Sequence, residues 1–110
     1  MLGRGVNCYN QGLIAIGDRT VISWNATLCS STHDFSDPSF PLVVRPIQIG
    51  ADAWIAAEAF VGPGVTIADG AVLGARGVAM RDLAGWSLYS GNPATKIRDR
   101  PEPSIRMGDE

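Results

Sequence analysis

The sequence predicts an all-β solenoid, in which short strands alternate with tight corners. Three observations indicate this fold class. From Ile16 onward an aliphatic residue recurs every six residues, the residue after it is small in eight of nine units, and the fifth is Thr, Ala or Val in seven. A period of six matches neither the repeat of an α-helix, about 3.6 residues, nor the plain alternation of a half-buried strand. It matches a short strand followed by a corner, repeated along the chain.

The repeat is interrupted once. The units begin at Ile16, Ile22, Leu28, Val43, Ile49, Ile55, Val61, Ile67 and Leu73. Their register is kept only when the segment DFSDPSFPL, residues 34–42, is treated as an insertion. Stacking such units aligns their aliphatic residues into one continuous core, because each coil buries the face of its neighbour.

The domain organisation follows from this register. We expect a single domain over residues 1–100, with a partial first coil over 1–15 and three complete coils over 16–78 that carry a protruding loop at 34–42. Beyond them the repeat fades, and a short C-terminal extension over 79–100 closes the domain. The polar, proline-containing segment 101–110 is expected to be a flexible tail.

Composition argues against several classes of partner. The net charge of −2 and the pI near 5.2 provide no basic surface for nucleic acid. No apolar run approaches the roughly 18 residues that cross a bilayer, and no secretory signal pattern opens the chain. The two cysteines, Cys8 and Cys29, lack the spacing of a metal site and are interpreted as small apolar residues in a reducing compartment. A cytoplasmic protein without a metal is therefore expected.

His33 is the only histidine, and it ends the third unit just before the insertion. Insertions in solenoids project as loops, and loops held by a rigid scaffold often carry function. Imidazole is also the side chain best suited to accept a proton near neutral pH. The plainer interpretation, an ordinary corner residue beside a harmless loop, stays open on these grounds alone.

Four motifs sharpen the prediction: STHDFSDPSFPL, IGADAWIA, GPGVTIADGAVLGA and SGNPATKIR. Over roughly residues 7–98 the chain resembles the hexapeptide-repeat acyltransferases, in particular the sugar O-acetyltransferases of the maltose/galactoside and colanic-acid types. Ser90, Thr95 and Ala56 depart from the usual pattern. The resemblance implies a left-handed parallel β-helix whose coils are triangular, each built from three units.

The resemblance also implies a function, the transfer of an acetyl group from acetyl-CoA to a hydroxyl of a sugar or related acceptor. In the family a histidine acts as general base, and that role falls on His33. No acyl-enzyme and no metal are needed. The family forms homotrimers whose active sites lie between subunits, so a homotrimer is expected here.

Further site residues are carried over by position. The expected contacts to CoA are Trp54, Ala57, Ala75, Arg81, Lys96 and Arg98, with the three basic residues reaching the phosphates. Asn10 and Trp54 are expected to contact the acceptor. Other interpretations stay open: the alanines could merely pack between subunits, Trp54 could cover the core, and the basic side chains could be solvated.

Counting the units in threes assigns them to faces of the prism. The first face would hold Ile16, Val43 and Val61, the second Ile22, Ile49 and Ile67, and the third Leu28, Ile55 and Leu73. This count places His33 on the same face as Ala57 and Ala75. It also predicts that Phe60 and Val78 stack in line with His33 along one corner.

A second function class is a non-catalytic or truncated β-solenoid that serves as an assembly or binding module. Its support is the N-terminus, which is shorter than is usual in the family. Binding of acetyl-CoA would discriminate the two, because a ligand stabilises a fold that holds its site.

Overall fold

The computed structural model describes residues 1–103, and these form fourteen short β-strands with no α-helix. The strands are β1 (Asn7–Tyr9), β2 (Ile14–Ile16), β3 (Val21–Ile22), β4 (Thr27–Cys29), β5 (Ser31–His33), β6 (Leu42–Val44), β7 (Ile47–Ile49), β8 (Trp54–Ile55), β9 (Phe60–Val61), β10 (Thr66–Ile67), β11 (Val72–Leu73), β12 (Val78–Ala79), β13 (Ser87–Ser90) and β14 (Thr95–Asp99). Within 1–103 no helix is long and apolar enough to cross a membrane. Most of the predicted tail, residues 104–110, lies outside the described residues.

The strands form the three faces of a left-handed parallel β-helix, which confirms the predicted fold class. The first face is the sheet β2–β7–β10, the second is β3–β8–β11–β13, and the third is β1–β4–β9–β12. Pairing within each face is parallel, as stacked coils require. The last strand, β14, turns back and pairs antiparallel with β13 at the edge of the second face.

One aliphatic residue from each strand of the coils points into the prism. The inward residues are Ile16, Ile22 and Leu28 in the first complete coil, Ile49, Ile55 and Val61 in the second, and Ile67, Leu73 and Ala79 in the third. Most have no exposed surface. The fifth residues of the units, such as Thr20, Ala53 and Val65, are buried beside them. Eight of the nine predicted core positions are therefore correct.

A left-handed backbone conformation makes each corner. The fourth residue of the units has a positive φ, for example 57° at Asn25 and 60° at Glu58, and glycine takes the position at Gly64 and Gly70. The fifth N–H then donates to the second carbonyl, as from Ala26 to Ser23 at 3.2 Å. This is the pattern of a type II turn, which requires a positive φ at its third residue.

The predicted register is wrong at the insertion. Val43 does not enter the core; it pairs with Thr32 in an antiparallel hairpin formed by β5 and β6. The prism resumes at β7, with Ile47 and Ile49 both buried. The projecting segment is consequently longer than the predicted loop 34–42, because both hairpin strands belong to it. Val43 matches the core pattern because it precedes Ile49 by six residues. Side chains along a strand alternate with a period of two, so an aliphatic residue of a hairpin strand can fall at that spacing without entering the core.

The face assignments shift as a result. The true rows are Ile16, Ile49 and Ile67 on the first face, Ile22, Ile55 and Leu73 on the second, and Leu28, Val61 and Ala79 on the third. Each later unit lies one face away from its predicted place, because the false unit at Val43 was counted as a side of the prism. Ala79 supplies the ninth core position instead.

Both ends of the solenoid are partial coils. At the start, Leu2 bridges to Ile22 and β1 pairs with β4. At the end, Arg100 fastens the returning strand β14 to the corners of two coils: its Nη1 donates to the carbonyl oxygen of Asp52 at 2.7 Å and to that of Gly70 at 3.0 Å. Its guanidinium also lies 5.3 Å from the ring centroid of Trp86.

Candidate active site

A rigid base holds the hairpin that carries His33. Ser30, which is fully buried, closes the corner before the hairpin: its hydroxyl accepts from the Gly12 N–H at 2.8 Å and lies 2.9 Å from the Tyr9 carbonyl oxygen. After the hairpin, the Arg45 N–H donates to the Ser30 carbonyl at 2.8 Å. Both ends of the hairpin are therefore joined at Ser30, which fixes where the hairpin leaves the prism.

The imidazole of His33 is oriented by Phe40 across the hairpin. Nδ1 of His33 lies 3.1 Å from the Phe40 carbonyl oxygen, and the two rings stack with centroids 4.2 Å apart and an interplanar angle of 11°. Because a carbonyl can only accept, Nδ1 carries the hydrogen in this contact. In the neutral ring Nε2 then keeps its lone pair. The arrangement gives the side chain the tautomer that a general base needs.

Two Asp-x-Ser turns order the loop beyond His33. Asp34 Oδ1 accepts from the Ser36 hydroxyl at 2.6 Å and from the Ser36 N–H at 3.0 Å, and Asp37 Oδ1 accepts from the Ser39 N–H and hydroxyl, both at 2.9 Å. These bonds favour the charged carboxylates and lower the pKa of each aspartate below its ordinary value. Asp34 is thus engaged with its own loop, while the imidazole is held by Phe40.

A cavity of about 370 Å³ opens beside the hairpin. Its apolar walls come from one hairpin strand and two residues of the prism, and its polar groups are a hydroxyl, an imidazole, a carboxylate and a guanidinium. The lining residues are Thr32, His33, Asp34, Val43, Arg45, Pro63 and Met80. This size is at the lower end of the range of small-molecule sites, so the cavity is large enough for a small polar group beside the imidazole.

Ala57 and Ala75 stack at a different corner. The Arg76 N–H donates to the Ala57 carbonyl at 2.9 Å, so the two alanines occupy successive coils at the junction of the second and third faces. The hairpin leaves from the opposite edge of the third face, after β4. The expectation that His33 lies on the same face as these alanines is therefore wrong, because the units of Ile55 and Leu73 belong to the second face and the unit of Leu28 to the third.

The predicted alignment of Phe60 and Val78 is half correct. The two residues pair with each other across β9 and β12. The third member of their row is Thr27, which pairs with Phe60, and not His33. His33 projects on the hairpin instead, outside the rows of the prism.

Trp54 lies on the second face and is 47% exposed. Its Nε1 donates to the Ser23 hydroxyl at 2.8 Å, which fixes the indole against the sheet. Trp54 and Arg98 line a common cavity of about 300 Å³ beside β14. The fold thus brings these two predicted residues together, but no lining residue of this cavity also lines the cavity of His33.

The other basic residues lie apart from one another. Arg81 lines a cavity of about 310 Å³ that shares the lining residue Met80 with the cavity of His33, so the two cavities are adjacent. Lys96, on β14, forms an ion pair of 2.7 Å with Asp99. The hydrogen bond to Asp99, followed by the Coulomb attraction, raises the pKa of Lys96.

Asn10 is exposed and lies at the corner after β1, close to the base of the hairpin. It does not line the cavity of His33. Among residues 1–103, no group of three His, Cys, Asp or Glu side chains is placed to hold a metal ion. Cys8 and Cys29 are free thiols, and the Cys29 Sγ donates to the Ser31 carbonyl at 3.2 Å.

The sequence has clear relatives, although no family model matches it. Over 101 residues the chain is 44% identical to a protein of Escherichia coli K12 named as a colanic acid biosynthesis acetyltransferase, WcaF. The alignment covers 92% of this chain and 56% of that protein. This chain is a homologue of the hexapeptide-repeat acyltransferases. It spans little more than half the length of this relative.

Solved structures support this homology. A maltose O-acetyltransferase from Clostridium difficile 630 matches this chain with a TM-score of 0.81 at 25% identity, over 92% of this chain and 59% of that one. A galactoside acetyltransferase in complex with coenzyme A matches with a TM-score of 0.80 at 25% identity, over 91% and 55%. The resemblance inferred from the motifs is confirmed.

Two residues of the site were missed from the sequence. Phe40 has a φ of 53°, and a positive φ is uncommon for a residue other than glycine, so the sequence does not predict this conformation. Arg45 follows the hairpin immediately, and its place in the cavity depends on the corrected register. The repeated Asp-x-Ser spacing at Asp34 and Asp37 was a readable signal, since Asx turns order a loop.

Proposed function

We propose that this chain is an acetyl-CoA-dependent O-acetyltransferase that acts on a hydroxyl of a sugar or related acceptor, with His33 as general base. The observation that carries the proposal is the contact of Nδ1 with the Phe40 carbonyl, which leaves Nε2 as the basic nitrogen of a residue that lines a cavity. The kinship with acetyltransferases supplies the reaction class.

The proposed reaction is a direct transfer. Nε2 of His33 takes the proton of the acceptor hydroxyl as its oxygen attacks the thioester carbonyl of acetyl-CoA. The carbon–sulfur bond breaks, the proton passes to the departing thiolate, and the products are the acetyl ester and CoA. A positioned base of this kind contributes on the order of 10²- to 10⁴-fold in rate.

We further propose a homotrimer in which each active site is shared. In one chain the cavity of His33 and the cavity of Trp54 and Arg98 have no residue in common. A projecting hairpin can reach the second face of a neighbouring protomer, which would unite them. Acetyl-CoA would then lie along the corner of Ala57 and Ala75.

The phosphate contacts in this proposal come from Arg81, Arg98 and Lys96. Arginine suits phosphate because its planar guanidinium offers two parallel donors. Arg81 and Arg98 are exposed. Lys96 would have to exchange its partner Asp99 for a phosphate oxygen, so we expect its contribution to be the smallest of the three.

Thermal unfolding with added acetyl-CoA tests the proposal. A ligand that binds only the folded state at a hundredfold excess over its Kd stabilises by about 2.7 kcal/mol. We expect acetyl-CoA and CoA to raise the Tm and adenosine alone to raise it less. A screen of nucleotide sugars, oligosaccharides and small antibiotics, read by release of free thiol, would then identify the acceptor. No shift at millimolar acetyl-CoA would favour a non-catalytic β-solenoid module.

A further inference from the structure

We propose that Arg45 determines acceptor specificity by binding an anionic group, a phosphate or a carboxylate, on the acceptor beside His33. This inference rests on the proposed acetyl transfer and names the substrate class of the same site. Three features support it: the fixed position of Arg45, the lack of a partner for its guanidinium within residues 1–103, and the chemistry of the cavity that it shares with His33.

The backbone of Arg45 is fixed where the hairpin rejoins the prism. Its N–H donates to the buried Ser30 at 2.8 Å, and its carbonyl accepts from the Gly64 N–H at 3.3 Å. The side-chain methylenes pass over Gly64, where an added Cβ would lie 3.3 Å from the Arg45 Cδ. The guanidinium therefore extends from an anchored stem, which reduces the conformational entropy lost when it binds an anion.

The charge of Arg45 is available. Among residues 1–103, Arg19 pairs with Asp52, Arg76 with Glu58, and Arg100 with two carbonyl oxygens. Over the same residues Arg45 forms no ion pair or side-chain hydrogen bond. Arg4, Arg81 and Arg98 share that property, but of these four arginines only Arg45 lines the cavity of His33.

The surroundings of the guanidinium favour an anion from outside the chain. Asp34 is the one carboxylate of the described part of the chain that lines the cavity, and it accepts two hydrogen bonds from Ser36 in its own turn. Val43, Pro63 and Met80 give the cavity apolar walls, and a hydrogen bond between two charged groups is roughly twice as strong as one between neutral groups. Because His33 takes the proton of the acceptor hydroxyl in the proposed reaction, we assign an anion in this cavity to the acceptor, and an anion of the donor is the outcome that would overturn this assignment.

The test compares three galactose derivatives: methyl galactoside, which is neutral, and galacturonic acid and galactose 1-phosphate, which each carry an anionic group. The kcat/KM of each is measured with acetyl-CoA for the wild type, Arg45→Gln, Arg45→Lys and the control Arg4→Gln. The carboxylate and phosphate arms distinguish the two sources of anion. We expect the wild type to favour one anionic acceptor, and Arg45→Gln to lower its kcat/KM at least tenfold more than that of methyl galactoside.

Further results support or overturn the inference. Partial retention of the preference by Arg45→Lys and full retention by Arg4→Gln would support it. Equal kcat/KM values for the three galactose derivatives in the wild type would overturn it, as would an equal loss on all three in Arg45→Gln. A rise in the KM of acetyl-CoA alone would also overturn it, by assigning the anion to the donor.

Failure of the proposed function would be recognised separately. If none of the three galactose derivatives is acetylated, binding of galactose 1-phosphate and galacturonic acid is measured directly by saturation-transfer NMR. Binding that Arg45→Gln weakens at least tenfold supports the anion site although the transfer is absent. No binding by the wild type overturns the inference.

Discussion

The Nδ1 atom of His33 lies 3.1 Å from the carbonyl oxygen of Phe40, seven residues further along the same hairpin. The ring of Phe40 stacks on the imidazole at the same time, so one residue supplies both a hydrogen-bond acceptor and a flat support. Phe40 makes this double contact from a left-handed backbone conformation, with a φ of 53°. Phe40 is therefore a positioning residue for the proposed base.

Phe40→Ala removes the stacking support and leaves the backbone carbonyl in place. Since an aromatic pair is worth about 0.5–1.5 kcal/mol, we expect kcat to fall roughly two- to tenfold while the KM of acetyl-CoA stays close to the wild-type value. Steady-state kinetics measure both constants. Phe40→Tyr keeps the ring and should restore kcat, and an unaltered kcat in Phe40→Ala would show that the stacking has no role.

The hydrogen bonds of Asp34 and Asp37 predict that the structure of the loop depends on pH. Their pKa values are lowered in the folded loop by hydrogen bonds from Ser36 to Asp34 and from Ser39 to Asp37. A lowered folded pKa means that the stabilisation is present above the ordinary aspartate pKa, about 3.9, and is lost as the pH falls through the folded value. We expect the Ser36 and Ser39 amide resonances to titrate with midpoints below the ordinary pKa.

Ser36→Ala serves as the matched control for this titration, because it removes the largest cause of the shift at Asp34 and leaves Asp37 untouched. The midpoint at Asp34 should rise toward its ordinary value while the midpoint at Asp37 stays. Midpoints that do not separate in the variant would contradict the assignment of these turns.

Because the coils stack closely, we expect the addition of a single methyl group between them to lower the free energy of unfolding. An added Cβ at Gly17 would lie 2.5 Å from the backbone of Gly50 in the next coil. Because backbone cannot move aside easily, we expect Gly17→Ala to lower the free energy of unfolding by about 1–3 kcal/mol. At Gly74, also the second residue of a unit, the nearest atom is 3.3 Å away. Gly74→Ala should cost less, and equal losses in denaturant unfolding would refute the explanation.

Arg100 predicts how the C-terminal strand is held. Its guanidinium binds the carbonyl oxygens of Asp52 and Gly70 and lies over Trp86. Hydrogen bonds from a charged group contribute about 1.5–3 kcal/mol, so Arg100→Ala should lower the free energy of unfolding by roughly 1–3 kcal/mol and speed amide exchange in β14.

Arg98→Ala is the control for Arg100. Arg98 lies on β14, two residues before Arg100, is exposed, and has no side-chain partner within residues 1–103. Its removal should change the free energy of unfolding by no more than about 0.5 kcal/mol. A loss as large as that of Arg100→Ala would mean that the contacts of Arg100 do not fasten the strand.

The periodic part of the fold is predictable from the sequence because each core position repeats a chemical type at a fixed spacing. Ile22, Leu28 and Ile55 are fully buried where the period places them. The corners are less readable. Asn25 and Glu58 take a positive φ although neither is glycine, since the stacked coils on either side impose the turn.

The candidate site is predictable only in part. His33 stands out by its type and by the interrupted repeat, but its neighbours depend on how the hairpin folds back. Val43 matches a core position by spacing and lies in the hairpin instead, which misplaces every later unit by one face. Arg45 lines the cavity because it follows this hairpin directly. The spacing of residues along the sequence does not show that a hairpin leaves the prism at this point.

The most direct measurement of the central claim is acetyl transfer by His33→Ala. With a productive acceptor and saturating acetyl-CoA, release of free CoA thiol is compared between the wild type and the variant, while circular dichroism and sedimentation check the fold and the assembly. We expect kcat to fall by about 10²- to 10⁴-fold in a variant that folds and assembles like the wild type. Near wild-type turnover by folded His33→Ala would contradict the assignment of His33 as the general base.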